Sequence, residues 1–232
     1  MSKVTGFTAS KMIALTASTL FCSALVASPS EELPVKRIPH KGQAAEFYFA
    51  PDGKQLIGNA KLADDKIHQV YIMDLEGNMT RINDKGEDGC SHFYPDGKRI
   101  IWTSTRDHLD LDKGNYSDPN NYPKGAELYS SNPDGSDVKQ LTNNEYYDAE
   151  VGVSPDGKWI LWARMIDGKQ DLWRMPADGT GKQEQITFTE TEQEGGAFYM
   201  PDSETILYRS WEISAQGKRG MPMNIYTING HF

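Results

Sequence analysis

The sequence predicts an all-β fold made of repeated four-stranded antiparallel sheets. Three observations predict it: a proline-aspartate turn occurs four times, a short apolar run follows each turn, and aromatic residues return at the same places in each copy. The turns are separated by 44, 60 and 46 residues, counted between Pro51, Pro95, Pro155 and Pro201. Periods near 45 residues are typical of repeat proteins.

The four turns read "APDGK", "YPDGK", "SPDGK" and "MPDSE". Proline presets φ for the first central position of a turn, aspartate can accept a hydrogen bond from the backbone two residues later, and glycine tolerates a positive φ. Each copy is therefore predicted to be a hairpin corner. Ser203 stands where the other copies have glycine, so the fourth turn is expected to be strained or of another type.

Each turn is followed by the residues of three more strands. The second strand is apolar at successive positions, as in "QLIGNA" and "KWILWA", which favours a strand buried on both faces. The third strand reads "QVYIMD", "ELYSSN", "DLWRMP" and "NIYTIN", and the fourth reads "TRIND", "KQLTN" and "EQITF". Four strands in about 45 residues are typical of one blade of a β-propeller. The predicted blades are 43–84, 85–143, 144–188 and 189–232.

The fourth copy has no recognisable fourth strand after "NIYTINGHF". Residues 28–42 contain "VKRI", which matches "VKQL" at 138–141, so one hypothesis is that this N-terminal segment supplies the missing strand and closes a four-bladed ring. The alternative is an incomplete ring, in which four blades of a six-bladed propeller are present.

Residues 1–27 have the pattern of a secretory signal peptide. Lys3 and Lys11 are the only charges, and the apolar run 12–27 ends in small residues with Ala27 placed for cleavage. The run is shorter than the roughly 20 residues that span a bilayer. Because Phe21 precedes Cys22, where a lipid-attachment signal resembles a small residue followed by cysteine, a lipoprotein is disfavoured. We therefore expect a periplasmic protein with no membrane insertion after cleavage.

Cleavage would remove two lysines and no acidic residue, which changes the net charge from −9 to −11. A chain this acidic repels phosphate groups, so nucleic acid and anionic lipid surfaces are poor partners. Cleavage also leaves Cys90 as the single cysteine, which excludes an internal disulfide. With no base evident near it in sequence, Cys90 is predicted to be a small core residue rather than a nucleophile.

The segments "SPDGKWILWA", "YPDGKRIIWTSTRD" and "LYSSNPDGSDVKQLTN" resemble the propeller repeats of the periplasmic TolB-like family. The resemblance covers residues 43–232. TolB itself has an α/β domain before a six-bladed propeller, whereas here about 15 residues separate the expected cleavage point from the first blade, so the resemblance extends to the propeller and not to TolB as a whole. It implies a non-catalytic scaffold without cofactor that docks an envelope component of the Tol-Pal type, such as a peptidoglycan-associated lipoprotein.

Nine side chains are candidates for partner contacts. Seven follow the second strands or lie in the long segment 107–126, which accounts for the 60-residue spacing: Arg106, Asp107, Asp110, Asp112, Arg164, Arg209 and Trp211. Glu46 and Glu150 stand five residues before their prolines, on the strand expected to face the propeller axis. The alternatives are that the arginines form interblade ion pairs and that the two glutamates pair locally at strand ends. A calcium loop at Asp110, Asp112 and Asn115 is disfavoured because the segment lacks the D-x-D-x-D-G order and the later bidentate glutamate.

An enzyme is the alternative function. The string "GVSPD" does not match the nucleophile elbow of serine hydrolases. The manganese-dependent oligogalacturonate lyases also resemble this repeat family, which implies a metal-dependent carbohydrate-active enzyme with His92 as a ligand in the channel. The five histidines show no ligand spacing, so no metal is assigned.

Export predicts a defined new N-terminus. When the full chain is expressed in a bacterium with a periplasm, the folded protein is expected in the periplasmic fraction, beginning at Ser28, because signal peptidase cleaves after small residues such as Ala27. Intact mass spectrometry of that fraction measures the cleavage point. A membrane-bound protein of full mass would contradict the prediction, and replacing Ala27 by Arg is the control that should block cleavage.

Overall fold

The structure is a computed structural model that describes residues 35–218 and 221–229. The expected signal peptide with Cys22, residues 28–34 of the N-terminal segment, and His231 lie outside the described residues. Residues Arg37–Phe232 group into one compact unit, and every strand reported below belongs to it. No helix among the described residues is long and apolar enough to cross a membrane.

The chain forms fifteen strands in four antiparallel sheets within the described residues. The strands of blades 1 and 2 are β1 (Gln43–Phe49), β2 (Gln55–Lys61), β3 (Gln69–Asp74), β4 (Met79–Arg81), β5 (Asp88–Phe93), β6 (Ile100–Ser104), β7 (Glu127–Ser131) and β8 (Lys139–Gln140). Those of blades 3 and 4 are β9 (Tyr147–Val153), β10 (Trp159–Ile166), β11 (Lys169–Pro176), β12 (Glu184–Gln185), β13 (Glu192–Tyr199), β14 (Thr205–Glu212) and β15 (Asn224–Asn229), with a 3₁₀ turn at Ile213–Ala215. Each sheet follows chain order, so the predicted propeller of four blades is confirmed.

The second strand of each blade explains why apolar residues occupy successive positions. In β6, Ile100 packs in one cluster with Ile57 of blade 1, whereas the next residue, Ile101, packs in another with Ile160 of blade 3. Leu161 continues the pattern toward blade 4. Side chains alternate between the two faces of a strand, and both faces of the inner sheets are covered by neighbouring sheets. The core is therefore a series of interblade layers.

A cross-strand aromatic pair recurs in the sheets. Trp102 pairs with Tyr129 and Trp162 with Trp173, with ring centroids 6.0 and 6.5 Å apart. Such pairs add to the stability of a sheet beyond the area that they bury. Blade 1 has Gly58 at the equivalent place, where a Cβ atom would lie 2.7 Å from the ring of Phe47. The glycine is required there because the ring fills the space of the missing side chain.

The four proline turns have the predicted form. In each turn the backbone amide of the fourth residue donates to the carbonyl oxygen of the first, as Gly97 N does to Tyr94 O at 2.9 Å. The aspartate of the turn accepts a further bond, as Asp96 Oδ1 does from Lys98 N at 3.0 Å. Ser203 has φ +62°, close to the values of the glycines that it replaces, so the turn keeps its type and carries the cost of a left-handed non-glycine residue. Its hydroxyl accepts a hydrogen bond from Asp156 N at 3.0 Å, which offsets part of this cost.

Buried carboxyl groups lie where the chain passes from one blade to the next. Asp88 opens blade 2 and accepts hydrogen bonds from Asn83 Nδ2 at 2.7 Å and from Val70 N of blade 1 at 2.8 Å. Asp148 in blade 3 and Glu194 in blade 4 stand at the same distance before their prolines. All three are at most 1% exposed. An unpaired carboxyl group would be costly in a buried position, so each of these acids requires hydrogen-bond donors close to it.

The junction between blades 2 and 3 shows how such a carboxylate is satisfied. Asp148 accepts two bonds from Arg164, at 2.6 and 2.7 Å, one from Trp162 Nε1 at 3.1 Å and one from Asn144 Nδ2 at 2.9 Å. The Arg164 guanidinium lies 4.7 Å from the centre of the Trp173 ring. The bidentate pair is a strong buried contact within blade 3.

Blade 4 has three strands among the described residues, and the described part of the N-terminal segment, 35–42, lies in no strand. Because residues 28–34 lie outside the described residues, the hypothesis that residues 28–42 supply a fourth strand and close the ring stays a prediction. Two apolar residues of β15, the last strand of this sheet, are exposed: Ile225 is 74% exposed and Tyr226 is 40% exposed.

Burial of the junction acids predicts how stability changes with pH. Burial raises the pKa of Asp88 to about 7, from an ordinary value of 3.8, against the opposing effect of its hydrogen bonds. Between about pH 4 and pH 7 the folded chain then binds more protons than the unfolded chain, so stability falls as pH rises through this window and is level above it. Asp88 alone is expected to lower the free energy of unfolding by roughly 1 to 3 kcal/mol between pH 5 and pH 8.

Urea unfolding of the wild type and of Asp88→Asn at pH 5 and pH 8 measures this effect. The variant should lose that share of the pH dependence, whereas Asp64→Asn, at an exposed position, should keep it. Burial lowers the pKa of His92 to about 4, an effect of opposite sign, so the difference between wild type and variant is the informative quantity. Equal pH dependence in all three proteins would show that Asp88 is ionised in the folded state throughout this range.

Candidate functional site at the propeller channel

A β-bulge recurs in the innermost strand of every blade. The pairing of the first two strands shifts between Ala45 and Tyr48 in blade 1, and it shifts at the corresponding place in the other three blades. The residue at the shift is five before the proline: Glu46, Cys90, Glu150 and Gly196. Bulges re-aim a side chain out of the regular alternation. All four residues line one cavity of about 190 Å³ between the innermost strands.

Two of these bulge residues carry backbone strain. Glu46 has φ +52° and Glu150 has φ +54°, the region that Gly196 occupies without penalty at +56°. A left-handed non-glycine residue costs about 1 to 2 kcal/mol. Strain of this kind is concentrated at functional sites, so the two carboxylates are the first candidates for a role in the channel.

Glu150 is held by blade 4. Its Oε1 atom accepts from Arg209 Nη2 at 2.8 Å and its Oε2 atom accepts from Gly196 N at 2.5 Å. The ion pair between Glu150 and Arg209 joins blades 3 and 4, which is the alternative that the sequence left open for Arg209. Glu46 has a weaker partner, because Asn59 Nδ2 donates to it at 3.3 Å and Asn59 in turn bonds to His68 at 3.2 Å. The channel therefore has one neutralised carboxylate and one without a cationic partner among its described contacts.

Cys90 faces this channel and is not a core residue, contrary to the sequence prediction, because the bulge turns its side chain toward the axis. Its side chain is partly exposed to the cavity. Burial raises the pKa of the thiol well above its ordinary value, and the negative charges of Glu46 and Glu150 raise it further. A thiol without thiolate character is a weak nucleophile, so catalysis by Cys90 is disfavoured on electrostatic grounds.

The histidine proposed as a metal ligand lies between aromatic rings. The centroid of the His92 ring is 4.1 Å from that of Tyr48 and 6.4 Å from that of Phe198. Burial lowers the pKa of His92 to about 4, so the imidazole is neutral near pH 7. Within residues 35–218 and 221–229, no group of three or more His, Cys, Asp or Glu side chains is placed to hold a metal ion.

A second cavity, of about 240 Å³, shares Glu46, Cys90 and Glu150 with the first. Tyr116 of the inserted segment covers it. The Tyr116 hydroxyl donates to Glu87 O at 3.2 Å, and its ring lies against Gly89, where a Cβ atom would be 3.0 Å away. The inserted segment therefore folds back over one mouth of the channel.

The inserted segment is built by its own hydrogen bonds. Asn115 N donates to Asn121 O at 2.7 Å, and Lys124 N donates to Asp112 O at 3.1 Å. Gly114 is left-handed at φ +47°, and a Cβ atom there would lie 2.6 Å from Asn121 O. The ring of Tyr122 stacks on that of Tyr147 with centroids 4.2 Å apart and planes at 5°. These contacts give the segment one defined shape.

Beside the channel mouth, this segment forms the wall of a larger groove of about 590 Å³. The opposite wall comes from the start of blade 3, the β10–β11 turn and Gln216 after β14. The groove is lined by tyrosines, amides and acids: Asp112, Asn120, Asn121, Tyr122, Glu145, Tyr146, Tyr147, Asp167 and Gln216, together with Pro119, Pro123, Lys124, Met165 and Gly168. Only Asp112 among these residues is predicted from the sequence as a contact residue, although the segment "NYSDPNNYPKG" is rich in tyrosine and asparagine.

The other predicted contact residues are divided between surface and interior. Asp110 and Asp112 are exposed, and Asp107 is exposed in an ion pair with Lys85 at 2.6 Å. Arg106 is half-buried over the ring of Tyr129, 5.5 Å from its centre.

Two predicted contact residues do not lie at an accessible rim. Arg164 is 7% exposed and Trp211 is 4% exposed. Arg164 forms an ion pair with Asp148, which neutralises its charge, and neighbouring residues cover the indole of Trp211. This corrects the expectation that both are contact residues, because a buried side chain cannot meet a partner without rearrangement.

Comparisons with known proteins support the fold. No family model matches the chain. A protein assigned as TolB from Agrobacterium tumefaciens superposes with a TM-score of 0.63 at 19% identity, over 82% of this chain and 64% of that one. TolB from Acinetobacter baumannii superposes with a TM-score of 0.60 at 22% identity, over 82% of this chain and 41% of that one. The chain thus has a TolB-like propeller fold and spans less than two thirds of either structure.

Two peptidases are also similar over part of their length. A structure from a study of two prolyl endopeptidases superposes with a TM-score of 0.54 at 11% identity, over 81% of this chain and 27% of that one. Dipeptidyl aminopeptidase BIII of Pseudoxanthomonas mexicana is 32% identical over 60 residues, which are 26% of this chain and 9% of the enzyme. Each match covers less than a third of the peptidase concerned. At 11% identity the structural likeness shows a shared fold alone.

The electrostatic environment of Cys90 predicts slow alkylation. In a Cys22→Ser background at pH 8, iodoacetamide should modify the folded protein at least about 10-fold more slowly than the urea-unfolded protein, because only the thiolate reacts. Glu46→Gln should raise the folded rate about 3- to 10-fold by removing one negative charge. The rate is measured by mass spectrometry over time. Glu76→Gln, in an exposed turn, is the control, and equal rates in folded and unfolded protein would contradict the prediction.

Proposed function

We propose that this chain is an exported, non-catalytic scaffold of the periplasm that binds a protein or another cell-envelope component. The observation that carries the proposal is the inserted segment 107–126. A propeller blade needs only a short connection between its second and third strands, as blade 3 shows with Asp167 and Gly168 between β10 and β11. The corresponding connection of blade 2 is instead a folded structure that adds a groove to one mouth.

The TolB-like fold and the signal-peptide pattern of residues 1–27 support the same proposal. Loops at one end of a propeller converge while the sheets hold them rigidly, which suits a docking surface. A peptidoglycan-associated lipoprotein is the partner that the resemblance to the Tol-Pal system implies. Asp110 and Asp112 give the mouth an acidic, exposed edge, whereas Asp107 is paired with Lys85, so a protein partner that docks on this edge is favoured to carry basic groups there.

Site-specific photo-crosslinking tests this function. A photoreactive phenylalanine analogue in place of Asp110 should give crosslinks to a defined envelope component in intact cells, because Asp110 is exposed on the inserted segment. The same analogue in place of Lys98 is the matched control, since it is exposed on the same blade but at the opposite end, in the β5–β6 turn. Crosslinked products are identified by mass spectrometry.

Two results would overturn the proposal. One is equal crosslinking from positions 98 and 110, which would indicate random encounters. The other is purified protein that holds stoichiometric manganese or another divalent metal and loses an activity on chelation and in His92→Ala, which would favour the metal-dependent enzyme instead.

A further inference from the structure

We propose that the 590 Å³ groove beside the channel mouth is a binding site for a neutral oligosaccharide. The inference rests on the proposed binding function and names the class of ligand that this part of the mouth takes. The volume lies within the range of roughly 300 to 1,000 Å³ that is usual for small-molecule sites.

Three tyrosines, Tyr122, Tyr146 and Tyr147, line the groove. Tyr122 and Tyr147 form a stacked pair in the lining. Tyr116, which lines the neighbouring cavity, lies 6.0 Å from Tyr147, so the two lining rings are fixed before any ligand arrives. Tyr146 is adjacent and 42% exposed. A tyrosine combines an apolar ring with a polar hydroxyl, and a pyranose likewise combines an apolar ring of C–H groups with hydroxyls at its edge.

The polar side chains of the groove are mainly carboxamides and carboxylates. Carboxamides and carboxylates are planar and present two hydrogen-bonding atoms side by side, which matches two neighbouring hydroxyls of a sugar. Asn120, Asn121 and Gln216 provide carboxamides in the groove. The Gln216 Nε2 atom donates to Pro119 O, but Gln216 Oε1 is buried and has no hydrogen-bond partner among the described residues. A buried acceptor left unpaired is costly, and a ligand hydroxyl would satisfy it.

The charged residues of the lining limit the class of ligand that the groove can bind. Asp112, Glu145 and Asp167 line the groove against a single cation, Lys124. This balance repels phosphates, uronic acids and other anions. Basic peptides are the competing ligand class, but all three carboxylates are exposed, where an ion pair contributes only about 0 to 1 kcal/mol. The less exposed part of the lining includes Tyr122, Tyr147 and Gln216, which carry no charge, and this favours a neutral ligand.

The groove is also pre-formed. Backbone bonds fix residues 112–124 against one another, and the Tyr116 hydroxyl fixes the segment to blade 2. A site that needs no ordering on binding loses less affinity to entropy. Oligosaccharides bind weakly to open grooves, so this preorganisation is what makes a measurable complex expected.

Isothermal titration of the full exported protein with cellotriose and with tri-N-acetylchitotriose, as neutral probes, tests the site. At least one of them should bind saturably with a dissociation constant below about 1 mM, equivalent to about −4.1 kcal/mol. Tyr146→Ala should weaken this binding at least 10-fold without a change in melting temperature, because the ring is substantially exposed. Phe188→Ala is the matched control, since Phe188 is an exposed aromatic residue outside the groove and should leave binding unchanged.

Trigalacturonate and trilysine, titrated under the same conditions, complete the test. No binding by either neutral probe, tighter binding of trilysine or of trigalacturonate, or equal weakening by the two variants would overturn the proposal. The proposed scaffold function fails separately, through loss of the difference between positions 98 and 110 in crosslinking. A protein that crosslinks from position 110 but binds no neutral sugar would retain its scaffold function and lose this ligand.

Discussion

Each inner sheet of this protein is apolar on both faces and is stable only when both are covered by other sheets. Successive residues such as Ile100 and Ile101 bury themselves in different interblade layers, and burial of apolar area is the dominant favourable term in folding. The turns, the connections between blades and the channel all follow from this stacking. Blade order is set by chain order because each junction is short.

Polar groups then decide how the stacked sheets fit together. In blades 2, 3 and 4 the innermost strand carries a buried acid near its start and a bulge two residues later, so the same strand supplies a structural group and a group that faces the channel. Asp148 and Glu150 illustrate the division: the first is fully paired with Arg164, Trp162 and Asn144, whereas the second crosses to Arg209 of the next blade. The bulge separates the two tasks because it breaks the regular alternation of the strand.

The inserted segment is the feature that distinguishes one face of this propeller from the other. It covers the channel mouth with Tyr116 and forms the groove with Tyr122. The repeats of this fold have similar connections between their strands. An insertion in the connection of one blade therefore creates a site that the other blades lack. The function is therefore expected at the mouth beside blades 2 and 3, where rigid sheets support a folded connection.

The sequence by itself determined the four blades, their strands and their turns, since these depend on local alternation and on proline, aspartate and glycine at fixed places. It also aligned Glu46 and Glu150 in one column of the innermost strand, but left open whether they face the axis or pair locally. Tertiary structure decided the rest. Arg164 and Trp211 are buried, and Cys90 faces the channel, because burial depends on which sheet lies opposite and on a bulge that no local pattern marks. The groove joins residues about 100 positions apart, such as Asn120 and Gln216, and such a meeting exists only once the blades have stacked.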